Sequence, residues 1–326
     1  MSEIRGVTIF LPAFAAFVMA AILGPVIIPF LRSLKARQTV RDDGPQSHLK
    51  KNGTPTMGGF IFLIPFTAVC IFLIATKRVG NETVAILAGT LLFSFIGFID
   101  DFIKVILKRS MGLRAWQKFL LQVIFAAGLV AYMRQYMALT SVMKLPFVSL
   151  SVDWGIFTYV LMGIAIVATV NGSNFTDGLD GLASSVTIVI GVFLILASMS
   201  LGSLAYAPSS AMTGALLGFL LYNSHKASVF MGDTGSLALG AFVAVACIVN
   251  GHTLFLPFLA FIYLAEVLSV IIQVSYFKAT KGKRIFKMAP IHHHFELCDW
   301  TETKVVNVFS IITAAIAMVL LFDLVF

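Results

Sequence analysis

Two aspartates, Asp177 and Asp180, stand in the polar stretch NGSNFTDGLDGL, between two apolar runs that are each long enough to cross a bilayer. The stretch contains no Lys or Arg, so its own residues do not neutralise the two carboxylates. Because a desolvated and unpaired carboxylate is costly, we expect both side chains to face a cation or a cationic substrate. A simple turn between two spans is the alternative, since Asp, Asn and Gly also serve as turn and cap residues.

A second pair of acids, Asp100 and Asp101, closes another apolar run in the sequence GFIDDFIKVILK. If the helix continues, Lys104 and Lys108 lie on the Asp100 face, while Asp101 points about 100° away. An ordinary salt-bridged helix end is the alternative interpretation. A divalent cation with a phosphate would account for acids and lysines together, because Mg²⁺ takes one or two carboxylates and shares phosphate oxygens.

A third acidic stretch, YNSHKASVFMGDTGSLALG, contains Asn223 and Asp233 immediately before an apolar run. Asp233 alone is compatible with a helix N-cap. Acids that three separate loops present at one face are typical of a shared ion, so we interpret Asp233 as a metal ligand.

Two further polar stretches, HLKKNGTPTMGG and KMAPIHHHFELCDW, suit anions. Lys50 and Lys51 either anchor a membrane span or accompany a Gly-Thr-Pro loop that binds an anion. Three consecutive His residues cannot all reach one metal from a helix, so imidazoles that donate to a phosphate are favoured over a zinc site. A solvated basic loop is the alternative.

Glu266 lies inside the apolar run FIYLAEVLSVIIQ rather than at its edge. A buried acid in a span is either functional or a hydrogen-bonded structural group, and Glu266 is kept outside the catalytic set.

The elements that position these residues are predicted from composition. The chain has 326 residues, of which 59% are hydrophobic and 12% charged, with a mean hydropathy of +0.97. These values predict an all-α, polytopic integral membrane protein that forms one domain over residues 1–326. Ten apolar runs are candidate transmembrane helices: residues 7–31, 58–76, 83–103, 119–133, 155–170, 181–199, 210–223, 235–250, 254–277 and 304–324.

The basic residues orient these spans. Of the 23 Lys and Arg, 18 fall in one set of alternate loops, which the positive-inside rule assigns to the cytoplasm, so both termini are predicted to be extracytoplasmic. The acidic stretches fall on the same cytoplasmic face. The net charge of +8 follows the loops, which argues against a nucleic-acid partner. The cysteines Cys70, Cys247 and Cys298 suit neither a disulfide framework nor a metal knuckle.

Five stretches, in order along nearly the whole chain, resemble the motifs of the phospho-N-acetylmuramoyl-pentapeptide transferases of bacterial peptidoglycan synthesis: HLKKNGTPTMGG, IDDFIK, NFTDGLDGLA, VFMGDTGSLALG and PIHHHFE. The triple His and the TPTMGG loop resemble this branch rather than its relatives that transfer N-acetylglucosamine phosphate to polyprenyl phosphate. Phe175 departs from the Leu expected before Thr-Asp and leaves the polar residues in place.

The resemblance implies an enzyme of the bacterial inner membrane with ten transmembrane helices, a Mg²⁺-dependent cytoplasmic site and a homodimeric state. It implies transfer of phospho-MurNAc-pentapeptide from UDP-MurNAc-pentapeptide to undecaprenyl phosphate, with lipid I and UMP as products. Asp100, Asp101 and Asp233 would be the catalytic acids, and Asp233 and Asp100 the metal ligands. The other matched residues would bind substrate, Phe230 by stacking on uracil: Lys51, Thr56, Lys104, Asn174, Asp177, Asp180, Asn223, Phe230, Gln273, His292, His293 and His294.

Two alternatives remain at this point. A sister transferase would move N-acetylglucosamine 1-phosphate from UDP-N-acetylglucosamine to polyprenyl phosphate. A secondary transporter would need acids near the bilayer midplane, where only Glu266 qualifies.

Overall fold

The computed structural model describes residues 2–34, 53–105, 107, 112–137, 139–148 and 150–325. Nearly all regular structure in these residues is helical, as expected from the long apolar runs. The helices are α1 (Ser2–Ser33), α2 (Phe60–Ala75), α3 (Asn81–Val105), α4 (Ala115–Tyr136), α5 (Ile156–Thr176), α6 (Leu182–Ser200), α7 (Tyr206–Asn223), α8 (Gly232–Val249), α9 (Leu256–Leu259), α10 (Phe261–Ala279), α11 (Ile291–Glu296) and α12 (Glu302–Val325).

Eight of the described helices are long and apolar enough to cross a membrane: α1, α3, α4, α5, α6, α8, α10 and α12. Two others coincide with predicted spans but fall short of that standard. Helix α2 has only 16 residues, and α7 has 18 residues that include Ser, Thr and Asn. The predicted number of ten spans therefore remains a prediction.

Helix α8 lies at the centre of the bundle, where every residue from Thr234 to Ile248 is buried. It packs chiefly against α3 and α5, and α1, α2 and α7 pack together beside it. Close approach depends on small residues, as is usual between membrane helices. A Cβ on Gly240 of α8 would come within 2.4 Å of the Val170 Cα of α5. The charged site described below lies where α3 and α5 end and α4 and α8 begin.

Three local features differ from the sequence prediction. A small antiparallel hairpin, β1 (Val142–Lys144) and β2 (Ser151–Asp153), pairs Met143 with Val152 in a chain that was expected to be all-α. β-branched residues and a short connection favour this pairing between α4 and α5.

Helix α5 continues through the polar residues 171–176, which were expected to lie outside the span. The Asn171 amide donates to Gln122 Oε1 and to the Val167 carbonyl, and the Thr176 hydroxyl donates to the Gly172 carbonyl, so these polar side chains are satisfied within the helical bundle.

The predicted span 254–277 is not one helix. A short 3₁₀ turn (Thr253–Phe255) and α9 precede a break at Ala260, and only then does α10 begin. Pro257 lies in the first turn of α9, a position that proline tolerates.

Candidate active site

Three aspartates form the centre of the site. Asp100 and Asp101 lie near the end of α3, and Asp233 lies in the first turn of α8. One carboxylate oxygen from each lies within 4.8 Å of the other two. Asp100 and Asp101 are almost fully buried, and the Asp233 side chain is 18% exposed. Of the three acidic stretches that were predicted to converge, two meet here: the end of α3 and the start of α8.

Asp101 holds the beginning of α8 in place. Its Oδ2 accepts hydrogen bonds from the Thr234 backbone N–H (2.8 Å) and hydroxyl (2.6 Å), and its Oδ1 accepts from the Asp233 N–H (3.2 Å). A carboxylate at this end of a helix satisfies free N–H groups and complements the helix dipole. The helix cap is thus Asp101 from α3, whereas the alternative interpretation assigned that role to Asp233.

Two glycines allow this close contact. A Cβ on Gly97 of α3 would overlap the Asp233 carbonyl, and one on Gly232 would come within 2.6 Å of Asp101 Oδ2. Gly232 also has a φ of +70°, which favours glycine. Side chains at these positions would separate α3 from α8.

Two lysines neutralise the acids. Lys104 Nζ lies 2.5 Å from Asp100 Oδ2 and 3.2 Å from Asp233 Oδ2, and Lys118 Nζ lies 2.7 Å from Asp233 Oδ2. The Asp100–Lys104 pairing confirms the predicted i,i+4 arrangement. Lys118, in the first turn of α4, was not predicted as a site residue, because the sequence analysis only counted it among the 18 basic residues of the loops assigned to the cytoplasm. Lys108 lies outside the described residues.

The end of α5 supplies polar groups to the same centre. The Asn174 amide donates to Asp233 Oδ1 (2.9 Å) and to the Ser236 hydroxyl (2.7 Å). Asp100 Oδ1 in turn accepts from the Leu113 N–H (2.8 Å), which ties the start of α4 to the site.

Asp177 and Asp180 occupy the turn after α5. Burial, followed by the charges of Asp233, Asp101 and Asp180, raises the pKa of Asp177 well above its usual value. Asp180 Oδ2 accepts from the Ala227 N–H (3.0 Å) and lies 3.4 Å from His225 Nδ1. Asp177 therefore belongs electrostatically to the acid centre, while Asp180 joins the turn to the segment after α7.

The TPTMGG loop pairs with the segment that leads into α8. The Phe230 N–H donates to the Pro55 carbonyl, and the Gly58 N–H donates to the Phe230 carbonyl. Phe230 is partly buried, and Thr56 Oγ1 would lie 2.8 Å from a Cβ on Gly232. Thr56 and Phe230 are thus placed beside the acids. Lys51 lies outside the described residues.

Three other predicted substrate-binding residues hold their own segments. Asn223 accepts from the Ser184 hydroxyl and donates to the Val229 carbonyl, and Gln273 Oε1 accepts from two N–H groups of residues 285 and 286. His294 Nδ1 accepts from the Lys287 N–H. The hydrogen bonds of these side chains go to loops and helix ends rather than to the three aspartates.

The triple His forms the short helix α11 rather than a loop. His292 is 1% exposed, and its Nδ1 lies 3.0 Å from Glu266 Oε2, while His293 Nδ1 lies 2.7 Å from Glu296 Oε2. A Cβ on Gly178 would overlap the His292 ring. Glu266 is therefore joined through His292 to the turn that carries Asp177 and Asp180, whereas the sequence set it apart from the acidic stretches.

The donor set fits a hard divalent cation. Three carboxylates offer oxygens within 4.8 Å of one another, and no sulfur or imidazole stands among them. Oxygen ligands of this kind suit Mg²⁺. Asp233 and Asp100 project towards the lysines, whereas both oxygens of Asp101 already accept hydrogen bonds from α8.

The chain is similar to one family of known proteins. Residues 83–251 match glycosyl transferase family 4, and residues 51–63 match the phospho-N-acetylmuramoyl-pentapeptide-transferase signature 1. Curated proteins named phospho-N-acetylmuramoyl-pentapeptide-transferase are similar along almost their whole length. The protein of Clostridioides difficile is 49% identical over 94% of this chain and 95% of its own. That of Clostridium botulinum (strain Alaska E43) is 45% identical over 98% and 97%, and that of Thermoanaerobacter sp. 46% identical over 96% and 98%.

The family match covers α3 to α8, which carry the three aspartates and Lys118, and the signature covers the loop that pairs with Phe230. With these identities over nearly full length, the chain belongs to the phospho-N-acetylmuramoyl-pentapeptide transferase family.

Proposed function

We propose that this protein transfers phospho-MurNAc-pentapeptide from UDP-MurNAc-pentapeptide to undecaprenyl phosphate, giving lipid I and UMP. The observation that carries the proposal is the group of three aspartates and two lysines at one end of a bundle of apolar helices. Phosphoryl transfer depends mainly on positioning and charge neutralisation, and this group offers both.

Asp233 and Asp100 would hold a Mg²⁺ ion, which when bound neutralises the diphosphate and stabilises the UMP leaving group. The oxygen-only donor set supports this assignment. Asp101 positions Asp233 through the hydrogen bonds at the start of α8, so its contribution to catalysis is indirect.

The reaction proceeds by direct attack. An oxygen of the lipid phosphate bonds to the sugar-bearing phosphorus, and the bond from that phosphorus to UMP breaks. A phosphate monoester has a second pKa of about 6, so the attacking group is largely dianionic at pH 7 and needs little activation. Asp100 orients it or accepts its remaining proton, and Lys104 and Lys118 neutralise the phosphate oxygens.

A groove beside the site suits the lipid tail. It has a volume of about 980 Å³, lies among α4, α5 and α10, and runs from Phe119 and Asn171 to Arg134 and Gln135. Sixteen residues of α4 separate its ends, which corresponds to about 24 Å. This length is most of the apolar thickness of a bilayer, and the end at Phe119 adjoins Lys118. We assign the polyprenyl chain to this groove, with its phosphate near Lys118.

The membrane arrangement follows from the charges. The distribution of Lys and Arg supports a cytoplasmic site with both termini outside, and α2 and α7 would complete ten crossings of the bacterial inner membrane. The homodimer is inferred from the family alone, and the molar mass of the detergent-solubilised protein tests it.

The proposal is tested by UMP release from purified enzyme with Mg²⁺ and undecaprenyl phosphate. We expect release with UDP-MurNAc-pentapeptide and none above background with UDP-N-acetylglucosamine. Asp233→Asn should reduce turnover at least about 100-fold while the protein still inserts, since an essential charge is lost. Release from UDP-N-acetylglucosamine, with none above background from UDP-MurNAc-pentapeptide, would identify the sister transferase instead.

A further inference from the structure

An acid and a histidine are buried together outside the aspartate centre. Glu266 of α10 is 0% exposed and His292 of α11 is 1% exposed, and the Oε2 and Nδ1 atoms lie 3.0 Å apart. The proposed mechanism gives Glu266 no role. Leaving a carboxylate buried with so little compensation is costly, so its position demands a reason.

The two ring nitrogens of His292 face in different directions. Nδ1 faces Glu266, whereas Nε2 is the atom closest to the Cβ position of Gly178, in the turn that carries Asp177 and Asp180. Only a residue without a side chain at position 178 lets the ring approach this turn. Glu266 therefore lies behind the imidazole, on the opposite side from the acid turn.

The pair has unused hydrogen-bonding capacity. Within the described part of the chain, none of its four buried polar side-chain atoms, Oε1 and Oε2 of Glu266 and Nδ1 and Nε2 of His292, has a hydrogen-bond partner of good geometry, and Nδ1 and Oε2 are joined only by their 3.0 Å ion-pair distance. Most buried polar side-chain atoms are satisfied, so such groups call for an explanation. A ligand group bound at the turn would supply a partner for Nε2.

A carboxylate behind an imidazole has a known physical effect. It fixes the orientation of the ring and favours the imidazolium form, in which the N–H that faces the carboxylate is held by it and the other N–H can donate to an anion. Hydrolases and metal sites use the same arrangement on unrelated folds.

We propose that Glu266 is a positioning residue, which acts through His292 to direct Nε2 at the phosphate oxygens of the nucleotide substrate bound over the turn at Gly178. This inference rests on the proposed transferase function. The rival explanation is structural: the pair would simply fasten α11 to α10.

The test is Glu266→Gln, which preserves size and removes the charge. We expect kcat/KM for UDP-MurNAc-pentapeptide to fall about 10- to 100-fold, as for other residues that orient a functional histidine. The fall should appear in the KM for this substrate, with the KM for undecaprenyl phosphate unchanged. Binding of UDP, measured by calorimetry without turnover, should weaken in parallel. Ser269→Ala is the matched control, because this buried hydroxyl on the same helix donates to the backbone carbonyl of Glu266 and not to its carboxylate.

A double-mutant cycle separates positioning from structure. If Glu266 acts through His292, then Glu266→Gln should add little to the loss caused by His292→Gln. Gly178→Ala, which displaces the ring but leaves Glu266 intact, should reproduce the KM effect. Wild-type kinetics in Glu266→Gln would overturn the inference. The inference would also fail if the losses of the two single variants added up in the double variant, accompanied a lower unfolding temperature and raised both KM values equally.

Failure of the proposed function would give a different result from failure of this inference. If the proposed function is wrong, the unmodified enzyme itself would release no UMP from UDP-MurNAc-pentapeptide. Tight UDP binding that depends on Glu266 and His292 would then still support the inference.

Discussion

At the level of single residues, Lys118 shows how the site balances its charges. Its ammonium lies 2.7 Å from Asp233 Oδ2, and its side chain is 18% exposed. We expect Lys118→Gln to lower kcat about 100-fold, because the variant cannot neutralise the charge that develops on transferred phosphate oxygens. The measurement is UMP release at saturating substrates. Lys144→Gln is the control, since Lys144 pairs with Asp323 at the opposite end of the bundle and should have normal turnover.

Asp177 makes the stability of the folded protein depend on pH. Because its pKa is raised in the folded protein, the folded state holds a proton that the unfolded chain releases near pH 4. The stability of the protein should therefore fall as the pH rises above about 4, until the folded pKa is passed. In Asp177→Asn this loss is absent. Measured without divalent cations, the unfolding temperatures of wild type and Asp177→Asn should therefore coincide near pH 4. By pH 8 that of the variant should be higher. A constant difference across this range would contradict the assigned shift.

The acids could be predicted from the sequence, but Lys118 and Glu266 could not be placed. Asp100, Asp101 and Asp233 stand out because uncompensated carboxylates at the edge of apolar runs are costly. Lys118 has the same appearance as any lysine that flanks a span. The proximity of Glu266 to the acid turn depends on how α10 packs against α11, a contact between distant segments that the sequence pattern does not show.

At the level of elements, the packing of α3 against α8 sets the geometry of the site. Gly97→Ala should force the first turn of α8 away from α3, because the added Cβ overlaps the Asp233 carbonyl. Overpacking of this kind costs about 1–3 kcal/mol. We expect a lower unfolding temperature and a large loss of turnover. Gly128→Ala on α4 is the matched control, since nothing lies within 4 Å of its Cβ position and the change favours the helix. Equal behaviour of the two variants would mean that this contact does not position Asp233.

The helices themselves follow from the apolar runs, whereas their ends do not. Helix α5 was predicted to stop before Asn171, since a stretch with four polar side chains in six residues normally leaves a bilayer. It continues because Asn171 and Thr176 bond to Gln122 and to carbonyls within the bundle. The hairpin of β1 and β2 was missed because two three-residue strands carry too little periodicity to be recognised.

At the level of the whole molecule, the groove proposed for the polyprenyl chain would make binding of the lipid substrate separable from binding of the nucleotide. Ala127 lines the groove on α4, and a tryptophan there would fill part of its 980 Å³ volume. We expect Ala127→Trp to raise the KM for undecaprenyl phosphate about tenfold, because the tail loses apolar contacts worth about 0.8 kcal/mol for each CH₂ group. The KM for UDP-MurNAc-pentapeptide should not change.

A short-chain prenyl phosphate, which does not reach Ala127, should be used equally well by variant and wild type. Ala68→Trp, in a separate apolar cavity between α1 and α2, is the control and should affect neither KM. If Ala127→Trp leaves both KM values unaltered, the polyprenyl chain lies elsewhere on the bundle.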